Sequence, residues 1–269
     1  MKKTVLPLAI CLFLAMTGCA PKTLPPSTVE LNGVMSASTA TERWQAFLQR
    51  SSEARTGDTL SGSLRFGTED ETHRVTYLLW SGQSSASGST ISDIIRLDIG
   101  TGLGSTVGSM RIADGRMTLV IPGERKAYIG EASQENLRRL LGLSLPFTIN
   151  QLTDFLAGHF FSALDSPVPA GYEIQKDGSI LYRYTQADRS MLIVLDAQAR
   201  PVRWEEDMGW KLDIACDEPG RPTKLSGRAE SASGYQRLVL MVKERRAGTS
   251  TASLDLDIPV GFTVYSLDQ

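Results

Sequence analysis

Polar and apolar side chains alternate with a period of two over much of this chain. Leu60, Gly62, Leu64 and Phe66 alternate with Ser61, Ser63 and Arg65, and Val75, Tyr77 and Leu79 alternate with Arg74, Thr76 and Leu78. Ile95, Leu97 and Ile99 alternate with Arg96 and Asp98, and Met117, Leu119 and Ile121 follow an Asp114-Gly115 turn. Successive side chains of a strand point to opposite faces, so each run predicts a strand with one apolar face. The connections, such as 81–89 and 100–104, are too short for parallel crossovers and predict an antiparallel meander. From Tyr172 the pattern resumes over 180–184, 191–195, 202–206, 210–214, 225–229, 238–242 and 253–256, and Ile258 to Phe262 leads into a short terminal segment.

Three segments change to helical spacing. From Ser36 to about Ser52, Trp44, Phe47 and Leu48 form an i, i+3, i+4 stripe behind candidate caps at Ser38, Thr39 and Thr41. Ser133 caps a helix over 134–141, with Leu137, Leu140 and Leu141 on one side and Gly142 as its stop. Beyond Pro146, Thr148 or Asn150 opens a helix through Leu152, Phe155 and Leu156 that ends near Gly158. The sum is about ten strands with three helices, a mainly β chain of the α+β class whose long antiparallel sheet must curl as its strands twist. Periodicity leaves two arrangements open: helices that fill the concave face, or helices that lid an apolar cavity on it.

The first residues have the parts of a secretory signal. Lys2 and Lys3 precede a short apolar stretch from Val5 to Ala15, and Met16-Thr17-Gly18-Cys19 follows. The stretch falls short of the roughly 20 apolar residues of a transmembrane helix, and Pro21, Pro25 and Pro26 come directly after it. The segment ending in Gly18-Cys19 resembles the lipobox cut by the lipoprotein signal peptidase, which implies a diacylated, palmitate-bearing Cys19; an ordinary signal with an incidental cysteine is the alternative. Two or three acyl chains anchor stably where one does not. Ala20, in place of an aspartate, points to the outer membrane by the sorting logic of enterobacterial lipoproteins. The expected organisation is a signal peptide over 1–18, the lipidated Cys19 with a flexible tether over 19–34, and one β-rich domain over 35–269.

Composition removes several functions. Lys and Arg number 28 against 30 Asp and Glu, a net charge of −2, and loss of Lys2 and Lys3 with the signal makes the chain more acidic still. That argues against nucleic acid, which would want a clustered basic face. Cys11 leaves with the signal and Cys19 carries lipid, so Cys216 is alone and is expected to be a buried, inert thiol. His73 and His159 share no HExxH spacing, and no GxSxG, GxxxxGK[ST] or CxxC occurs. Glu69-Asp70-Glu71 and Glu205-Glu206-Asp207 read as solvated turns. No catalytic residue, metal or cofactor is expected, and the chain does not read as an enzyme.

Arg96 to Val107 reads RLDIGTGLGSTV, and from Ala113 the chain runs ADGRMTLVIPGERKAYIGEASQENLRRLLGLSLPFTINQLTDFLAG. These segments resemble the LolB family, outer-membrane receptors that take lipoproteins from the periplasmic carrier LolA. The order matches: a strand, a short aromatic-bearing strand, an acidic helix, Leu-Gly-x-x-Leu-Pro, and a second helix ending in Gly. Gly142, Leu145, Pro146, Leu152 and Gly158 carry the match. It spans Thr56 to Gly158; beyond that only the pattern is similar, and the C-terminal half is longer than usual.

The resemblance implies an unclosed, strongly curved β-barrel lidded by helices, with a cavity for acyl chains. It implies a membrane-insertion loop at Gly102-Leu103-Gly104, where the family has Pro-Leu-Gly or a close variant; Gly102 in place of the proline loosens the turn. From the residues alone, Leu103 either protrudes or folds back on the core. Alternation nominates Leu64, Tyr77, Leu79, Leu97, Ile99, Leu119, Ile121, Leu152 and Phe155 as the cavity wall. The implied partners are a LolA-like carrier, lipoprotein acyl chains and outer-membrane lipid, met by a monomer that moves acyl chains down a gradient of apolar burial. A structural or assembly lipoprotein without cargo, and a carrier of free lipid or glycolipid, are the alternatives.

Overall fold

A computed structural model describes residues 37–268, apart from 52–56, 86–90, 103, 142–144, 146, 165–167, 187–188, 207–208, 232–233 and 249–250. The expected signal peptide, Cys19, the tether, Leu103, Gly142, Pro146 and Asp207 therefore lie outside the described residues.

Fourteen strands form one sheet: β1 (Asp58–Gly67), β2 (Thr72–Ser85), β3 (Ile91–Gly100), β4 (Thr106–Ala113), β5 (Arg116–Ile121), β6 (Lys126–Glu131), β7 (Pro169–Ile174), β8 (Ile180–Gln186), β9 (Arg189–Leu195), β10 (Pro201–Glu206), β11 (Trp210–Cys216), β12 (Pro222–Ser231), β13 (Gly234–Ala247) and β14 (Thr263–Ser266). The spatial order is β14-β6-β5-β4-β3-β2-β1-β13-β12-β11-β10-β9-β8-β7, a curved, unclosed sheet. Two antiparallel meanders, β1 to β6 and β7 to β13, join where β1 pairs with β13. Only β14 runs parallel to its neighbour, with Val264 opposite Ala127. Such a pair needs a crossover, and the chain after β13 supplies it across the outer face.

That crossover corrects one expectation. Residues 253–256 form no strand; Thr251–Leu254 is a 3-10 turn. Leu254 is buried with Ile94 and Ala113, and Trp80 packs against them. Arg111 Nε donates to the Leu254 carbonyl at 3.1 Å, and Arg96 Nη1 donates to the Asp255 carbonyl. Side chains, not a neighbouring strand, satisfy this backbone. Conversely, β4, β7 and β14 escape a search for alternation. Gly108 and Ser109 interrupt the first, Pro169 and Gly171 the second, and all four residues of the third are exposed.

The helices are α1 (Ala37–Ser51), α2 (Gln134–Leu141), α3 (Ile149–Ala157) and the single turn α4 (Phe160–Ala163). Thr148 caps α3 through a capping box, its side chain accepting from the Gln151 amide while the Gln151 side chain accepts from the Thr148 amide, and Gly158 closes the helix in the left-handed region. Ser133 Oγ accepts from the Asn136 amide at 3.2 Å and so starts α2. Trp44 and Phe47, on the predicted stripe of α1, are buried against Tyr182 and Phe160, with ring centroids 4.8 and 5.2 Å apart. The helices cover the inner, apolar face of the sheet and share one core with it.

Candidate functional site

The inner face is built row by row from register. Leu60, Leu79, Leu97, Met110, Leu119 and Tyr128 stand opposite one another across β1, β2, β3, β4, β5 and β6. On the other meander, Leu240 and Leu225 pair across β13 and β12, and Trp204 lies between Leu212 and Ile193. Above this wall lie aromatic rings from the helices and the segment before α3: Phe155 meets Phe160 edge-on at 5.0 Å, and Phe147 lies 4.8 Å from Trp204. Trp204 Nε1 donates to the Tyr184 hydroxyl at 2.8 Å, so even the polar atoms of this cluster are paired internally.

Of the nine residues nominated as a cavity wall, Tyr77, Leu79, Leu119 and Phe155 are buried in this core, while Leu64, Leu97, Ile121 and Leu152 are half-buried against it. Ile99 is half-buried and stands between Tyr77 and Gly108, outside the cluster. Coverage follows position along the strands. Leu64, Phe66, Ile99 and Ile121 are half-buried and approach the end of the sheet where the β1–β2, β3–β4 and β5–β6 turns lie. Leu60 and Leu79, further from that end, are buried. On the β1–β6 meander the apolar face is thus covered at one end and half-covered at the other, while on the second meander Leu238, Leu212 and Trp204, in the register row of Phe66, are buried.

The hairpin joining β3 and β4 stands at the partly open end. Gly104 donates its amide to the Thr101 carbonyl at 3.0 Å, Thr101 donates to the Ser105 carbonyl at 2.9 Å, and the two hydroxyls are 2.8 Å apart. Gly104 has φ +88°, a conformation that favours glycine, and no atom lies within 4 Å of where a Cβ would project from Gly102 or Gly104. The turn is pinned at its base and open at its tip.

The opposite end is polar. A cleft of about 230 Å³ lies there between α3 and the ends of β2 and β3, lined by Ser81, Asp93, Thr153, Asp154 and His159 among others. None of the nine nominated residues lines it. Close by, Arg245 is turned inward opposite Leu60, because a bulge at Ser61/Gly62 shifts the register of β1 against β13 by one residue. Its side chain is 10% exposed; Nη1 lies 4.0 Å from Asp58 Oδ2 and Nη2 donates to the Pro222 carbonyl at 3.2 Å. Burial pushes the Asp58 carboxyl up despite the pull of Arg245, His159 and Arg221, and burial lowers Arg245. Gly62 lets Tyr77 approach: the Tyr77 hydroxyl donates to the Met241 carbonyl at 3.2 Å, where a Cβ on Gly62 would collide. Sequence reading missed Arg245, and without the bulge the alternation through Leu238, Leu240 and Val242 puts it outside.

Among the described residues no group of three or more His, Cys, Asp or Glu side chains could hold a metal ion. The His73 ring lies tilted against Phe66 with centroids 5.4 Å apart, and its Nε2 is 3.4 Å from Glu71 Oε1. Cys216 is a free, half-buried thiol that donates to the Pro201 carbonyl at 3.5 Å, and burial pushes its pKa up to about 12.

No family model and no curated protein matches this chain. Solved structures do. A LolA superfamily protein from Nitrosomonas europaea is similar with a TM-score of 0.53 and 15% identity, over 79% of this chain and 97% of that one. A domain from Vibrio parahaemolyticus described as an outer membrane lipoprotein-sorting protein gives 0.52 and 13%, over 81% and 95%. A DUF1329 family protein from Desulfovibrio piger gives 0.54 and 11%, over 80% and 96%. The fold of this chain is LolA-like.

Proposed function

We propose that this chain is an outer-membrane lipoprotein, anchored through Cys19, that accepts acyl chains of lipoproteins from a LolA-like periplasmic carrier and inserts them into the membrane. The observation that carries the reading is the apolar inner face of the β1–β6 meander, half-covered at the end where β3 and β4 are joined through Gly102-Leu103-Gly104. An acyl chain entering there first meets Leu64, Ile99 and Ile121. Movement of the helices away from the sheet would then expose Tyr77, Leu79, Leu97, Leu119, Leu152 and Phe155 as its wall. Each methylene buried is worth about 0.8 kcal/mol, so cargo passes toward whichever site covers more of it. Transfer of this kind needs no covalent chemistry, metal or cofactor, and a monomer suffices.

A second reading, an assembly lipoprotein of this fold without cargo, is favoured by the packing of Phe147, Phe155, Phe160 and Trp204 where a lipid would lie. Native mass spectrometry of the purified protein separates the two. The receptor should carry a co-purifying lipoprotein. A free lipid would make it a lipid carrier, and a bare protein that also takes no lipoprotein from a loaded carrier would leave the assembly role.

A further inference from the structure

The outer face of the sheet carries a basic groove that the acyl-transfer reading does not use. It has a volume of about 980 Å³ and is lined by Arg65, Arg74, Arg203, Lys211, Arg228 and Arg237, with Glu205 and Asp213 as its acids. Both acids lie near Arg203, whose Nε is 3.5 Å from Asp213 Oδ1 and 4.0 Å from Glu205 Oε1, and Glu205 also stands directly opposite Lys211. No ion pair joins the other five cations to a carboxylate among the described residues. On a chain with net charge −2, this is a local concentration of positive charge.

Register makes the arrangement sharper. Arg65 stands directly opposite Arg74, Arg228 directly opposite Arg237, and Lys211 directly opposite Arg228. Like charges directly opposite in a sheet destabilise it, and three such contacts occur within four adjacent strand pairs. An anion seated over β12 and β13 would relieve the repulsion around Arg228 and Arg237. Of the apolar lining residues, Val239 shares the face of the cations, standing opposite Arg65, whereas Phe66 and Leu238 alternate onto the inner face. The groove opens toward the end of the sheet that carries the Gly102–Gly104 hairpin, because Arg237 is opposite Gly67 at the last position of β1.

We infer that this groove binds the phosphate headgroup of an anionic lipid and so holds the hairpin end of the sheet toward the bilayer. Phosphate satisfies several guanidinium groups at once, and the glycerol backbone would lie against Val239. The inference rests on charge and register and stands whether or not the chain carries lipoprotein cargo.

The test uses full-length protein in a non-ionic detergent. Its thermal midpoint is followed with dihexanoyl phosphatidylglycerol, dihexanoyl phosphatidylcholine, inorganic phosphate or a pentaglutamate peptide. Phosphatidylglycerol should raise the midpoint and phosphatidylcholine should not, and the rise should fade at high salt. In Arg228→Gln/Arg237→Gln the midpoint without ligand should be higher than in the parent, and phosphatidylglycerol should bind about 30-fold more weakly, as two lost cations dictate. Arg65→Gln/Arg74→Gln provides an independent pair with the same expected behaviour. An equal rise with inorganic phosphate would make the groove a general anion site, an equal rise with the peptide would assign it to an acidic protein, and no rise would leave it empty; each overturns the lipid assignment. Lipoprotein acceptance from a loaded carrier, measured on the same variants, reports separately on the transfer reading.

Discussion

The hydroxyl of Tyr182, on β8, donates a hydrogen bond of 2.7 Å to the main-chain carbonyl of Ala40 in the first turns of α1. Burial pushes that hydroxyl up to about 12, so it remains a donor throughout the physiological range. Arg43 Nη1 bonds the Gly178 carbonyl at 2.7 Å and Arg50 Nη2 the Gln198 carbonyl at 3.0 Å, fixing the same helix to the β7–β8 and β9–β10 turns. If α1 moves for cargo to enter, these are the bonds that must break.

Tyr182→Phe removes the donor and keeps the ring against Trp44. It should cost about 1 kcal/mol of stability, the net worth of one such bond, read as a lower urea midpoint. It should also increase binding of an environment-sensitive apolar dye at temperatures well below the transition. A lower midpoint with unchanged dye binding would mean that α1 does not cover the acyl face.

Thr148→Ala breaks the capping box of α3 and should cost about 1 kcal/mol. Thr148→Ser keeps the hydroxyl and should recover most of it. Urea unfolding of the two variants beside the parent decides the matter.

Asp58 makes stability depend on pH in the direction opposite to a surface carboxylate. Its pKa is raised in the folded protein because burial disfavours the charge. Its contribution is therefore present in full below the ordinary carboxyl value and is lost as pH rises through the folded value. Relative to Asp58→Asn, the parent should gain stability as pH falls from neutral toward the ordinary carboxyl value of 3.8. Paired urea titrations at successive pH values report the difference; a constant gap between the two proteins contradicts a raised pKa.

Leu103→Glu places a charge between Gly102 and Gly104 in the connection from β3 to β4. The variant should fold normally, accept lipoprotein from a loaded carrier, and fail to pass it to liposomes. Normal transfer by Leu103→Glu sinks the insertion role.

Local pattern made much of this molecule legible in advance. Thr148, one of two candidate caps, and Gly158 mark the ends of α3, and Trp44, Phe47 and Leu48 name the buried face of α1, since spacing and capping are contacts between near neighbours. Alternation likewise assigned Leu60, Leu79 and Leu119 to the inner face. It failed where a distant segment supplies the partner. Residues 253–256 look like a strand in isolation, yet Arg96 and Arg111 take their carbonyls and Leu254 docks on Ile94.

By itself, then, the sequence determined which residues of each strand and helix are apolar and which side they share, because a period of 2.0 or 3.6 is a property of a few consecutive residues. Only the tertiary structure decided how those faces meet. It packed Phe147 on Trp204 in the second meander, left the hairpin end of the β1–β6 meander half-covered, and through one bulge at Ser61/Gly62 turned Arg245 inward. It also set Arg228 between Lys211 and Arg237 on the outer face. Register joins residues far apart in the chain, and a shift of one position moves a side chain to the other face of the sheet.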